Sequence, residues 1–181
     1  MEKSVFLDSF EKTLQDGLLK VCDGLGVLSG EVLESPDVNG RWDAYIKDYV
    51  GDAVENFNEY PQSAIAWAGF LGMGVAHLWD KDWKRCAVAA YSDFYGERGF
   101  DDMDEHILRD ILGLPLDSDE AGRLSGALSS CAIATLGLIR HEGIESQTSN
   151  GFYVLVRAYS VMYRIGAAIE LRRLGYKKVA L

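Results

Sequence analysis

The sequence predicts an all-α protein: a single domain over residues 1–181, a bundle of six or seven mostly antiparallel helices with small-residue-rich helices at its centre. Three observations carry this. Apolar residues recur at helical spacing in almost every segment. No segment alternates apolar and polar residues between turn signals as a half-buried strand does. Two stretches without charge, Pro61 to Trp79 and Leu124 to Ile139, have the composition of buried helices.

Phe6, Phe10, Leu14, Leu18, Val21 and Leu25 form one stripe, so residues 3–26 read as an amphipathic helix ended by Gly24 and Gly26. Residues 35–40, Ser-Pro-Asp-Val-Asn-Gly, read as a loop by turn chemistry. Trp42, Ile46, Tyr49, Ala53 and Phe57 make a second stripe, with Asp48, Asp52 and Glu55 expected on the solvent side. Pro61 suits the first turn of a third helix, 61–79. There Ala64, Ala68, Gly72 and Ala76 build a ridge of small side chains that lets a neighbouring helix approach closely. A shorter helix is expected over 83–95, stopped by Gly96 and Gly99, and another over 102–112, closed by Gly113 and Pro115. Asp117 or Ser118 caps a helix running to about Arg140, whose Gly126, Ser130 and Ala134 form a second ridge. The two ridge helices are expected at the centre, against each other. Ser149 or Asn150 caps the last helix, about 151–174, with Arg172, Arg173, Lys177 and Lys178 at its negative end.

The formal charge is −10, which argues against nucleic acid or an anionic membrane as a partner. The charge is uneven: residues 96–120 carry net −7 and residues 121–181 net +5. The N-terminal residues show no apolar core of a signal peptide, and neither charge-free stretch has the ~20 apolar residues of a span. Cys22, Cys86 and Cys131 lie among apolar neighbours, as inert thiols of a cytoplasmic protein do. No catalytic, nucleotide-binding or metal signature is present, and no cofactor is expected: the segment at 117–128 lacks the calcium loop's final glutamate, and the glycines 69, 72 and 74 follow no strand.

Three functional readings follow. The leading one is a non-enzymatic module acting by protein–protein contact, on another protein or on itself as a homo-oligomer. The last helix lines up Tyr153, Arg157, Ser160 and Arg164, a polar stripe for an acidic partner or an anion, or else a plain solvated face. The second is a metal-assisted hydrolase drawing on His77 with Asp80, and on Asp102, His106 and Asp110, each set on one helix face. Against it, the same residues serve equally as a helix-end hydrogen bond and a solvated face. The third is a pocket for an apolar molecule beside the glycines of the 61–79 helix.

Overall fold

The computed structural model describes residues 3–145 and 148–177. It is all-α. Seven helices follow in order: α1 (Lys3–Gly24), α2 (Pro36–Phe57), α3 (Pro61–Lys81), α4 (Trp83–Val88), α5 (Met103–Glu105), α6 (Asp119–His141) and α7 (Ser149–Arg173). Among the described residues the only β pairing is an isolated antiparallel bridge between Gly96 and Gly99. All the helices contribute to one continuous apolar core.

Most boundaries fall where the capping chemistry puts them. Pro61 opens α3, and the Ser118 hydroxyl accepts the Ala121 N–H to cap α6. Four expectations need correction. Residues 35–40 are not a loop: Ser35 is the buried N-cap of α2, its hydroxyl accepting the Val38 N–H, and Pro36 occupies the first turn. The turn residues were those of a helix start. The 83–95 segment leaves the helix at Ala89, whose backbone is extended, and resumes as a 3-10 turn over Tyr91–Phe94. After α5 the chain widens into a π-helical turn, His106–Ile111, where the Leu112 N–H reaches back five residues to the Ile107 carbonyl at 2.8 Å. Thr148, not Ser149 or Asn150, caps α7. Lys178 lies outside the described residues.

The largest correction concerns the ridges. α3 does run through the centre, but its main partner is α7, not α6. Gly72 lies against α7 so closely that an added Cβ would collide with the Tyr163 carbonyl oxygen and come 2.9 Å from the Ala167 nitrogen. From the other side, a Cβ on Gly166 would collide with the Gly69 carbonyl oxygen. Two backbones therefore touch, as only glycine permits. α2 leans on the same pair: Trp42 stacks on Tyr163 at 4.8 Å, and the Tyr163 hydroxyl donates to the Val38 carbonyl at 2.6 Å.

Because the colliding atoms at Gly72 and Gly166 are backbone, neither Gly72→Ala nor Gly166→Ala can be relieved by a rotamer change. Each is expected to cost at least about 3 kcal/mol, the upper range for overpacking. Gly126→Ala on α6 meets nothing within 4 Å and should gain up to about 1 kcal/mol of helix propensity. Urea melts of the three variants check both signs.

Candidate functional site

The polar stripe of α7 is a joint between helices. Arg157 donates to Asp8 at 2.7 Å and Glu11 at 2.9 Å; Arg164, seven residues on, donates to Glu11 at 3.0 Å and Gln15 at 3.3 Å. All three acceptors stand at helical spacing on α1, so one ladder fastens α1 to α7. The carboxylates hold the Arg157 guanidinium more firmly protonated than usual, Asp8 most of all. Ser160, between the arginines, accepts the Trp42 indole N–H at 2.9 Å. Tyr153 stays exposed at the end of the stripe, with the Lys3 ammonium 3.5 Å from its ring centroid. An acidic ligand for Arg157 and Arg164 would have to displace side chains of the same molecule.

The two candidate metal faces are also occupied, and they are separate. His77 pairs with Glu170 of α7, Nδ1 to carboxylate 2.8 Å, and not with Asp80. Glu170 is fully buried and held by the Arg173 fork at 2.6 and 2.9 Å. Asp80 accepts from the Tyr176 hydroxyl at 2.6 Å, and that bond, with Lys81 behind it, keeps its carboxyl below the usual range. Asp102, His106 and Asp110 do come together, along an open cleft of 680 Å³. Arg98 grips Asp102, with its closest contact at 2.8 Å, and Arg109 takes Asp110 at 3.0 Å; each arginine lowers its partner's pKa. His106 sits between Asp110 at 2.9 Å and the Asp93 carbonyl at 3.0 Å. A cation entering here competes with two guanidiniums already in place. Among the described residues no three His, Cys, Asp or Glu side chains converge as a metal ion requires.

The space beside the α3 glycines is filled. A Cβ on Gly69 would meet Leu128 and Met162, and one on Gly74 would meet Phe94 and Ile107. The room that an apolar ligand would take is occupied by side chains of the core.

Two features escaped the sequence reading. Asp52, expected on a solvated face, accepts the Tyr91 hydroxyl at 3.0 Å and also that of Tyr95. It anchors the 3-10 turn over a cluster of aromatic rings that includes Tyr45, Tyr49, Phe100 and Tyr159. Asp104 lines a groove with Trp67, Ser125 and Ser129, and burial pushes its carboxyl up to about 6. The aspartate spacing alone marks neither, because both depend on which helix lies opposite.

Among the described residues one face of α6 stays exposed. Ala121, Leu124, Leu128, Cys131, Thr135 and Ile139 turn α6 inward. On the other side Gly122, Gly126 and Gly137 are exposed, a Cβ added to any of them would meet no described residue within 4 Å, and Ile133 stands 57% exposed among them. From Leu124 to Ile139 the helix carries no charge, and by length and composition α6 passes the test for a membrane span. Outward glycines on α1 and α2 differ in setting: Gly17 follows Asp16, and Gly51 precedes Asp52. The α6 face, a flat apolar strip with acidic Asp119 and Glu120 at one end and Arg140 and His141 at the other, is the candidate site.

Replacing Arg157 and Arg164 together by Glu sets like charges against Glu11 and Asp8. This should loosen α1 and cost roughly 1–3 kcal/mol, more than exposed pairs because the ladder is a partly buried network. Thermal melts with protection of α1 amides from exchange read it out. Asp104→Asn tests the buried carboxyl. The folded pKa of about 6 lies above that of a free aspartate, so the ionisation penalty is absent at low pH, grows from about pH 4 to 6, and is complete above that. The asparagine variant should match the wild type at pH 4 and exceed it by roughly 1–2 kcal/mol at pH 8. A constant difference across pH counts against burial as the cause.

Compared with known proteins, the chain matches no family model, no curated protein and no solved structure.

Proposed function

We propose that this chain is a non-enzymatic helical module that acts by protein–protein contact, and that the outward face of α6 receives a second copy of the chain. The observation that carries the reading is the charge-free strip of exposed Gly122, Gly126, Ile133 and Gly137, whose glycines have no described residue within 4 Å of an added Cβ. Glycine inside a helix costs about 1 kcal/mol relative to alanine. On α3 and α7 that cost is offset by a close backbone crossing. On α6 no described residue comes within 4 Å of where a Cβ on these glycines would sit.

The ends of the strip favour a second copy over other occupants. In an antiparallel pair centred between Ser129 and Ser130, the Ile133 side chain of one helix fits the notch at Gly126 of the other. Gly122 then lies opposite Gly137, and Asp119 opposite Arg140. Both ends gain opposite charges, and the arrangement is the self-complementary contact that a two-fold dimer needs. A membrane is a poorer occupant, because Asp119, Glu120 and Arg123 lie at one end and only 16 residues are uncharged, short of the ~20 that cross a bilayer. One helix pair sits at the small end of stable interfaces, so the expected dimer is concentration-dependent. The setting that suits three free thiols is a reducing compartment such as the cytoplasm.

Light scattering coupled to size exclusion, from about 1 µM to about 500 µM, tests it over the range where a contact of this size forms. The wild type should pass from monomer to dimer. Gly126→Leu and Ile133→Asp should stay monomeric with an unchanged helical spectrum. The end charges are exposed, so high salt should weaken the dimer only modestly. A wild type that stays monomeric throughout sinks the reading, and one that instead floats with lipid vesicles reassigns the strip to a membrane.

A further inference from the structure

Two of the three cysteines meet. Cys22, in the last turn of α1, and Cys131, in the middle of α6, are both fully buried, and their sulfurs are 3.5 Å apart. They are 109 positions apart in the chain, so the contact is made by the fold alone. Cys86 makes no thiol contact; its sulfur reaches the Val75 carbonyl at 3.6 Å. We infer that Cys22 and Cys131 form an oxidisable dithiol site that a peroxide closes to an intrachain disulfide.

Geometry and chemistry agree on how this proceeds. A disulfide needs its sulfurs about 2.05 Å apart, so a closure of about 1.5 Å shared between two helices is required. The contact also divides the two thiols. Either sulfur can donate in this contact, which lowers the Cys22 pKa while the same contact and burial push Cys131 up. Once the first proton has left the pair, the remaining S–H stabilises the thiolate. Cys22 is therefore the nucleophile. Its thiolate attacks a peroxide oxygen, the O–O bond breaks, and the departing oxygen takes a proton to leave as water, with Cys22 now a sulfenic acid. The Cys131 sulfur then attacks that sulfur. The S–O bond breaks, the hydroxyl leaves with the Cys131 proton as a second water, and the S–S bond is formed. One peroxide is reduced and two thiols are oxidised.

Access runs through the end of α1. The Cys22 carbonyl accepts the N–H groups of Val27 and Leu28 at 3.0 and 3.3 Å, in a turn made possible by Gly26 at φ 73. Arg123 and Arg172 both donate to the Gly26 carbonyl, at 3.0 and 3.1 Å, and fasten that turn from outside. Lifting this short segment uncovers Cys22 and leaves the crossing of α3 and α7 intact, so a molecule as small as hydrogen peroxide has a route that needs no global unfolding.

The test uses the reduced full-length chain and hydrogen peroxide as the probe. The intact mass should fall by about 2 Da, the two hydrogens lost in forming one disulfide. Thiols titrated after denaturation should drop from three to one, Cys86 remaining. A non-reducing digest should yield a peptide joining Cys22 to Cys131, a non-reducing gel should show monomer, and the melting temperature should rise and return on reduction. Cys131→Ala, with its helical spectrum checked, should lose the 2 Da shift and gain oxygen at Cys22 instead. Three persistent thiols in the folded wild type while the unfolded chain reacts, oxygen addition without the mass loss, or equal consumption of Cys86 would each overturn the proposal. These readouts are made on wild-type protein, so they stand even if the variant fails to fold.

Discussion

The contact on which the rest of the structure depends is the crossing of α3 and α7, where backbone meets backbone at Gly69, Gly72 and Gly166. A helix pair with ordinary side chains at the crossing keeps its axes 8–10 Å apart; glycines on both sides bring these two nearer. Everything above and below the crossing is built to that separation. His77 reaches Glu170 across it at 2.8 Å, and Tyr163 reaches Val38 past it at 2.6 Å. A wider crossing would leave Glu170, a fully buried carboxylate, without its histidine, and removing one partner of a buried pair costs far more than the pair contributes.

α1 is attached to this centre by two different devices. Along one side the Arg157 and Arg164 ladder holds Asp8, Glu11 and Gln15, and along the core face Leu7, Phe10, Leu14 and Leu18 are buried. The apolar face supplies most of the free energy, since four leucine- or phenylalanine-sized side chains are each worth about 1.5–3 kcal/mol when buried. The ladder supplies register. A slide of α1 by one helical turn would keep much of the apolar contact, with Leu14, Leu18 and Cys22 replacing Phe10, Leu14 and Leu18, but would take the carboxylates away from both arginines.

How far the sequence could be read follows from what each signal measures. Periodicity reports which face of a helix is apolar, and the buried faces of α1, α2 and α3 were legible from it. Glycine and proline report local backbone geometry, so Gly26, Gly113 and Pro61 marked real boundaries, while Ser35-Pro36 was misjudged because a helix start and a turn use the same residues. Neither signal reports which helix lies opposite. For that reason Arg157 and Arg164 read as a free stripe, Asp52 as a solvated acid, and His77 as a partner of Asp80. Glu170 escaped the reading: it is one carboxylate within the run Ala167–Leu171, and its partners stand more than ninety residues away on α3 or one turn along on α7. Of the candidate strip on α6 only Gly126 belongs to the ridge read from the sequence, and α6 meets α3 through Leu128 against Gly69 instead of through that ridge.

That last misreading separates two uses of one pattern. Ala68 and Gly72 on α3, and Gly126 and Ser130 on α6, repeat small residues at the same four-residue spacing. On α3 the flanking residues at every angle are apolar, so the helix is buried all round and its small residues must face another helix of the same molecule. On α6 the inward stripe is already supplied by Leu124, Leu128, Cys131 and Ile139, with Ala121, Ala127, Ala132 and Thr135 beside them. Ser130 is half-buried and Ala134 packs against the core, so of that ridge only Gly126 is left outside the packing, in line with Gly122 and Gly137. Glycines opposite a complete apolar stripe look outward, as Gly122, Gly126 and Gly137 do, and the two faces can be told apart from sequence by counting whether the helix already has a core side without its glycines. Since helical glycine lowers stability, a strip of it beyond what packing needs is more economically explained by a contact made between molecules than by anything within one.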